Sequence, residues 1–102
     1  DMLFAISYKD DLPKAKRLLQ EIVESDKRVL KDPTPIIGVQ ELGDNGVLFN
    51  VWPFVDMPDY VAVRQAISER VKLRFDEAGI TIPFPQRDMH VSPESNESEV
   101  LG

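Results

Sequence analysis

Few residues in this 102-residue chain are of types that could do covalent or acid–base chemistry. The single histidine, His90, sits in a short strand-like segment near the C-terminus, and no serine lies in the sharp strand-to-helix turn that exposes a nucleophile. One imidazole cannot form a histidine metal cluster within one chain, so His90 reads as a solvent-facing or interface residue. Two carboxylate pairs, Asp10-Asp11 and Asp76-Glu77, could serve as acid and base only if burial split their pKa values. The first pair stands just ahead of a helical pattern and reads as capping; the second reads as an exposed helical face. Cysteine is absent, which removes thiol nucleophiles, disulfides and thiolate metal sites together and suits a reducing compartment. The five glycines (Gly38, Gly43, Gly46, Gly79 and Gly102) never fall at the spacing of a phosphate-cradling loop. The sequence therefore predicts no catalytic centre, no cofactor and no metal site.

Charge narrows the partners. The formal net charge is −6, and half of it comes from Glu94, Glu97 and Glu99 in a Ser/Glu-rich tail. Phosphate binding needs clustered Lys and Arg, so nucleic acid is not expected as a partner. An RNA-stacking sheet would interleave aromatics with basic residues, yet 47–55, which holds Phe49 and Trp52, contains none. No apolar run approaches the roughly 18 residues that span a bilayer, and no signal segment opens the chain, so the stretch by itself reads as soluble. Its abrupt start in a strand-like run, without an initiator Met, reads as a piece of something longer.

The elements that would position any site follow from hydrophobic spacing. Met2–Tyr8 alternates as a strand, with Phe4, Ile6 and Tyr8 on one face and Leu3, Ala5 and Ser7 on the other. Leu12, Ala15, Leu18, Leu19, Ile22 and Val23 recur at three and four residues, which predicts an amphipathic helix to about Ser25 with Pro13 in its first turn. Pro33 and Pro35 forbid its continuation. Ile36–Leu42 and Val47–Val55 read as a hairpin around Gly43-Asp44-Asn45-Gly46, residues that accept the positive φ of tight loops. Val47, Phe49 and Val51 predict a buried face; Leu48, Asn50 and Trp52 a mixed one. After a cap cluster at 56–59, Tyr60, Val63, Ile67, Val71 and Phe75 predict a second helix stopped by Gly79, and Ile80–Phe84 offers a fourth strand. The order βαββαβ is an α+β, ferredoxin-like sandwich with both helices on one face of the sheet.

Two features point beyond one chain. Trp52 and Phe54, followed by Val55, keep apolar surface on a sheet face that has no helix to cover it, the mark of an intersubunit or interdomain contact. Pro83 and Pro85 remove two ladder donors and turn the backbone, so that Arg87–Val91 leaves as a fifth strand with Met89 and Val91 on one side and Asp88 and His90 on the other. Alone it would be marginal; paired with copies in a ring it would have no open edge. Ser92–Gly102 carries only Val100 and Leu101 to bury and is expected to be disordered.

The run "YVAVRQAISERVKLRFDEAGITIPFPQRDMHV" resembles the C-terminal cytoplasmic domain of mechanosensitive channels of small conductance, the MscS-like family, most specifically in "FDEAGITIPFPQ". The stretches "SYKDDLPKAKRLLQEIVESDKRVLKDPTP" and "VQELGDNGVLFNVW" are similar too, so the likeness spans about residues 4–91. It implies a heptameric inner-membrane channel that opens under tension and releases small solutes on hypo-osmotic shock. This domain would form the lower wall of a hollow cytoplasmic cage with lateral portals. The resemblance divides the chain into the αβ domain (1–86), a strand pairing around the sevenfold axis (87–91) and the tail (92–102). It makes Pro83, Pro85 and Gln86 the bend, and Asp88, Met89, His90 and Val91 the barrel strand. The family's pore helix and middle β domain are not in this stretch. Asn50 stands where family members often carry an arginine. The alternative reading is a free-standing ferredoxin-like regulatory domain that binds a small ligand; a small hydrolase of the same fold is a third.

Overall fold

A computed structural model describes residues 2–83. Its elements are β1 (Met2–Ile6), α1 (Leu12–Ser25), β2 (Ile36–Leu42), β3 (Val47–Trp52) and α2 (Tyr60–Ala78), with a 3-10 turn at Met57–Asp59 leading into α2. The three strands form an antiparallel sheet in the order β1-β3-β2, so the architecture is α+β, as the residue pattern predicts.

Strand alternation sorts the sheet residues into two faces. Ile6, Val47, Phe49 and Val51 turn into the core, with Met2 also buried and Phe4 packed against it. Both helices lie on that face. α1 contributes Ala15, Leu19, Ile22 and Val23; α2 contributes Val63, Ile67, Val71 and Phe75, four residues apart and all fully buried. Tyr60, expected in the same stripe, is instead exposed. Asp11 caps α1 by accepting a hydrogen bond from the Lys14 N–H at 3.1 Å, and Pro13 sits in the first turn, where no donor is lost. Gly79 ends α2 with φ +75°, while the Ile80 N–H closes the cap on the Phe75 carbonyl at 2.9 Å.

Three expectations are corrected by where backbone donors go. β1 ends at Ile6, because Ser7–Asp10 turns back on itself through a bond from the Asp10 N–H to the Ser7 carbonyl. β3 ends at Trp52 because Pro53 has no N–H; beyond it Val55 makes only a bridge to Val29. Residues 80–83 lie beside the end of β1 but form no strand. The Ile80 N–H serves the helix cap, the Thr81 N–H goes to the Asp10 side chain, and Pro83 has none. One ladder-like bond remains, from the Ser7 N–H to the Thr81 carbonyl at 3.0 Å. The hairpin's Gly46 is required for closeness: a Cβ there would meet the Ile6 carbonyl oxygen at 2.6 Å.

Candidate functional site

Of the residues the sequence assigns to an assembly interface, Pro83 is described; Pro85, Gln86, Asp88, Met89, His90 and Val91 lie outside the described residues, as do Phe84 and the tail 92–102. Pro83 is half-buried and borders a shallow pocket formed with Ala5, Leu48 and the hairpin turn. Its ring lies 3.2 Å from where a Gly46 Cβ would stand.

The approach to Pro83 is fixed by polar contacts. Thr81 donates its N–H to Asp10 Oδ2 at 2.6 Å and accepts the Ser7 N–H through its carbonyl. Lys14 Nζ donates to the Ala78 carbonyl at 3.1 Å, placing a cation at the C-terminal end of α2. The Tyr8 hydroxyl donates to the Gly43 carbonyl, tying the turn after β1 to the hairpin. The adjacent carboxylates thus have separate tasks. Asp11 caps α1, as expected; Asp10 holds the segment after α2, which no local pattern announces because its partner is distant in sequence.

The sheet face away from the helices is mostly apolar, with the exposed carboxylate of Glu41 paired opposite Leu48 toward the hairpin end. Register places Leu3 opposite Asn50, Ala5 opposite Leu48, Ile36 opposite Trp52 and Gly38 opposite Asn50. Leu3 is 53% exposed, Ile36 49% and Trp52 40%. At the centre, Asn50 Oδ1 is buried without a hydrogen-bond partner among the described residues. None of the three strands carries Lys or Arg, so this face lacks the charge that tracks a phosphate backbone.

Among the described residues the one strongly shifted carboxyl, Asp26, is structural. Its side chain is 3% exposed and accepts from Arg28 at 2.8 Å and Arg70 at 3.4 Å. The Arg28 guanidinium holds the carboxyl at about 2, against the opposing effect of burial. A carboxylate so paired is a poor base; it fastens the end of α1 to α2 and to the turn that follows. An open groove of about 810 Å³ runs beside it, lined by Glu24, Lys27, Leu30, Lys31 and Pro35 among others. Asp76 pairs with Lys72, and Glu21 with Arg74 across the two helices. Among the described residues no group of three His, Cys, Asp or Glu could hold a metal ion, and no helix is long and apolar enough to cross a membrane.

Residues 2–82 match the family model described as "Mechanosensitive ion channel MscS, C-terminal". The chain is 36% identical over 101 residues to an uncharacterized MscS family protein of Synechocystis sp., which covers 98% of this chain and 34% of the relative. It is 32% identical over 91 residues to the small-conductance mechanosensitive channel of Edwardsiella ictaluri, covering 89% of this chain and 32% of that protein. An uncharacterized MscS family protein of Archaeoglobus fulgidus is 32% identical over 87 residues, 85% of this chain and 31% of its own length. The chain belongs to the MscS family of mechanosensitive channels, as a C-terminal domain. It spans about a third of the length of these relatives.

Proposed function

We propose that this domain is the cytoplasmic cage, or vestibule, domain of a tension-gated channel of the inner membrane that releases small solutes on hypo-osmotic shock. It is non-enzymatic: it supports assembly of a heptamer and filters solutes at the cage wall. Residues 1–86 form the wall unit, 87–91 the strand that pairs between subunits, and 92–102 a disordered acidic tail. Pro83, Pro85 and Gln86 bend the chain outward, and Asp88, Met89, His90 and Val91 make the intersubunit contacts.

The observation that carries this reading is the family match across residues 2–82. The sheet face of Leu3, Ile36 and Trp52 supports it, because large exposed apolar side chains on a face without Lys or Arg suit burial against another domain or subunit. So does the fixing of Thr81 by Asp10 and Ser7, which aims the following chain from one place on every subunit.

The test is survival of hypo-osmotic shock by bacteria lacking their own channels and expressing the full-length protein, with patch recording under suction. Tension-activated conductance and rescue are expected. A correctly inserted protein without tension-activated conductance sinks the reading. Deleting 87–102 is expected to lower the cross-linked heptamer while leaving the circular dichroism of the isolated domain intact.

A further inference from the structure

Three asparagines occur in the chain, Asn45, Asn50 and Asn96, and of these Asn45 is followed by glycine. The Asn45-Gly46 pair sits in the turn between β2 and β3, whose ladder closes with Leu42 opposite Val47. Asn45 is exposed, and its side-chain amide has no hydrogen-bond partner among the described residues. A four-residue turn is commonly closed by a bond from its fourth N–H to its first carbonyl. In this turn the Gly43 carbonyl accepts the Tyr8 hydroxyl, and the Gly43 N–H donates to the Gly46 carbonyl at 2.9 Å. Among the described residues no hydrogen bond uses the Gly46 N–H.

We infer that Asn45 is a site of spontaneous covalent modification, at which the Gly46 backbone nitrogen attacks the Asn45 side-chain carbonyl carbon and the residue ends as isoaspartate or aspartate. The new bond joins the Gly46 nitrogen to Asn45 Cγ. The Cγ–Nδ2 bond breaks, and Nδ2 leaves as ammonia with the proton given up by the Gly46 nitrogen. Water then opens the resulting succinimide at either carbonyl carbon: attack at Cγ restores the normal main chain with an aspartate, and attack at the main-chain carbon leaves Gly46 linked through Cγ as isoaspartate. Glycine removes the side chain that would crowd the attacking nitrogen, the unbonded amide of Asn45 is free to turn toward it, and the nitrogen is not committed to the ladder. Asn50 offers the opposite case. Its Oδ1 is buried, and the β-branched residue after it, Val51, is buried in the central strand between Met2 and Ile37. Isoaspartate adds one main-chain atom beside Gly46, which is seated so closely that a Cβ on it would stand 2.6 Å from the Ile6 carbonyl oxygen. Either product adds a carboxylate next to Asp44 in the pocket that Pro83 borders. The chemistry belongs to the turn and stands apart from the channel reading.

The test keeps the purified full-length protein folded at physiological temperature in heavy-oxygen water, then digests it and reads the peptides by mass spectrometry. Asn45 is expected to take up heavy oxygen on the order of tenfold faster than Asn50, and faster still as pH rises, because the attacking nitrogen must lose its proton. The peptide that contains Asn45 is expected to accept a methyl group from an isoaspartyl methyltransferase. Asn45→Gln should remove both labels from that peptide, since its longer side chain must close a larger ring, and the exposed, unbonded position tolerates the change. Labels that persist in Asn45→Gln would belong to the adjoining Asp44 and overturn the assignment. Gly46 is buried. Should that burial shield its nitrogen, Asn45 would stay intact in the folded protein under conditions where the urea-denatured chain converts, and this outcome overturns the inference too.

Discussion

Asp10 and Thr81, 71 positions apart, are joined by a 2.6 Å hydrogen bond from the Thr81 backbone N–H to the Asp10 carboxylate. The bond falls two residues after Gly79 ends α2 and two before Pro83. It uses the donor that a fourth strand would have given to the sheet. The described segment after α2 is thus held by a side chain and by one backbone bond from Ser7, with no continuous ladder.

Replacing Asp10 by Ala is therefore expected to free the segment after α2 locally. Thr81 amide exchange should accelerate well beyond the change in global stability, which a partly exposed charge-assisted bond sets at about 1 kcal/mol. Asp11→Ala removes the α1 cap at a similar cost, about 1 kcal/mol, and is expected to leave Thr81 protected relative to global unfolding. Exchange measured residue by residue separates the two; an unchanged Thr81 amide in the Asp10 variant would remove the role given to this carboxylate.

Gly46→Ala is expected to destabilise the domain by about 1–3 kcal/mol. The added methyl would meet the Ile6 carbonyl oxygen at 2.6 Å and carbon at 3.1 Å, backbone atoms that cannot rotate aside, with the Pro83 ring at 3.2 Å. Gly43→Ala faces a nearest atom at 3.1 Å and otherwise the flexible Leu48 side chain, so its cost is expected to be smaller. Urea denaturation of the two variants checks the order.

Helices and hairpin were legible in the sequence because their signals are local: the four-residue spacing from Val63 to Phe75, Asp11 ahead of Pro13, and the alternation through Phe49. The open apolar face was legible for the same reason, since Trp52 and Leu48 alternate with buried neighbours. What local pattern could not supply was competition for backbone donors. Ile80–Pro83 has the composition of a strand, yet the N–H groups of Ile80 and Thr81 were already committed to Phe75 and Asp10, and Pro83 has none. Tyr60 matched the helical period but, as the first residue of α2, borders a surface cleft with Met2 and Val63 and stays 46% exposed.

Core and surface aromatics are expected to respond in opposite ways. Phe75 is fully buried, so Phe75→Ala should cost about 3–5 kcal/mol and abolish a stable domain. Trp52 is 40% exposed on the open face, so Trp52→Ala should leave the circular dichroism spectrum nearly intact and lower cross-linked oligomer in the full-length protein. Trp52→Phe should restore part of it. Full oligomer yield from the Ala variant would mean that this face is not a subunit contact.

Asp26 gives the domain a defined acid sensitivity. Its carboxyl is held at about 2 in the folded state, below the ordinary 3.8, chiefly by the Arg28 guanidinium. A depressed folded-state pKa adds stability that is complete above 3.8 and is lost as pH falls through about 2. The shift corresponds to about 2 kcal/mol, and at 3% side-chain exposure solvent screens it little. The stability gap between the native domain and Asp26→Asn should therefore be constant above about pH 5 and close by about 2 kcal/mol as pH falls from about 5 to about 2. Arg28→Ala should raise the Asp26 pKa more than Arg70→Ala, because Arg28 supplies the dominant hydrogen bond at 2.8 Å while Arg70 stands at 3.4 Å. Carboxyl titration by NMR on the two arginine variants gives that order directly, and the reverse order would mean that the tie between the helices, rather than the turn after α1, governs the charge.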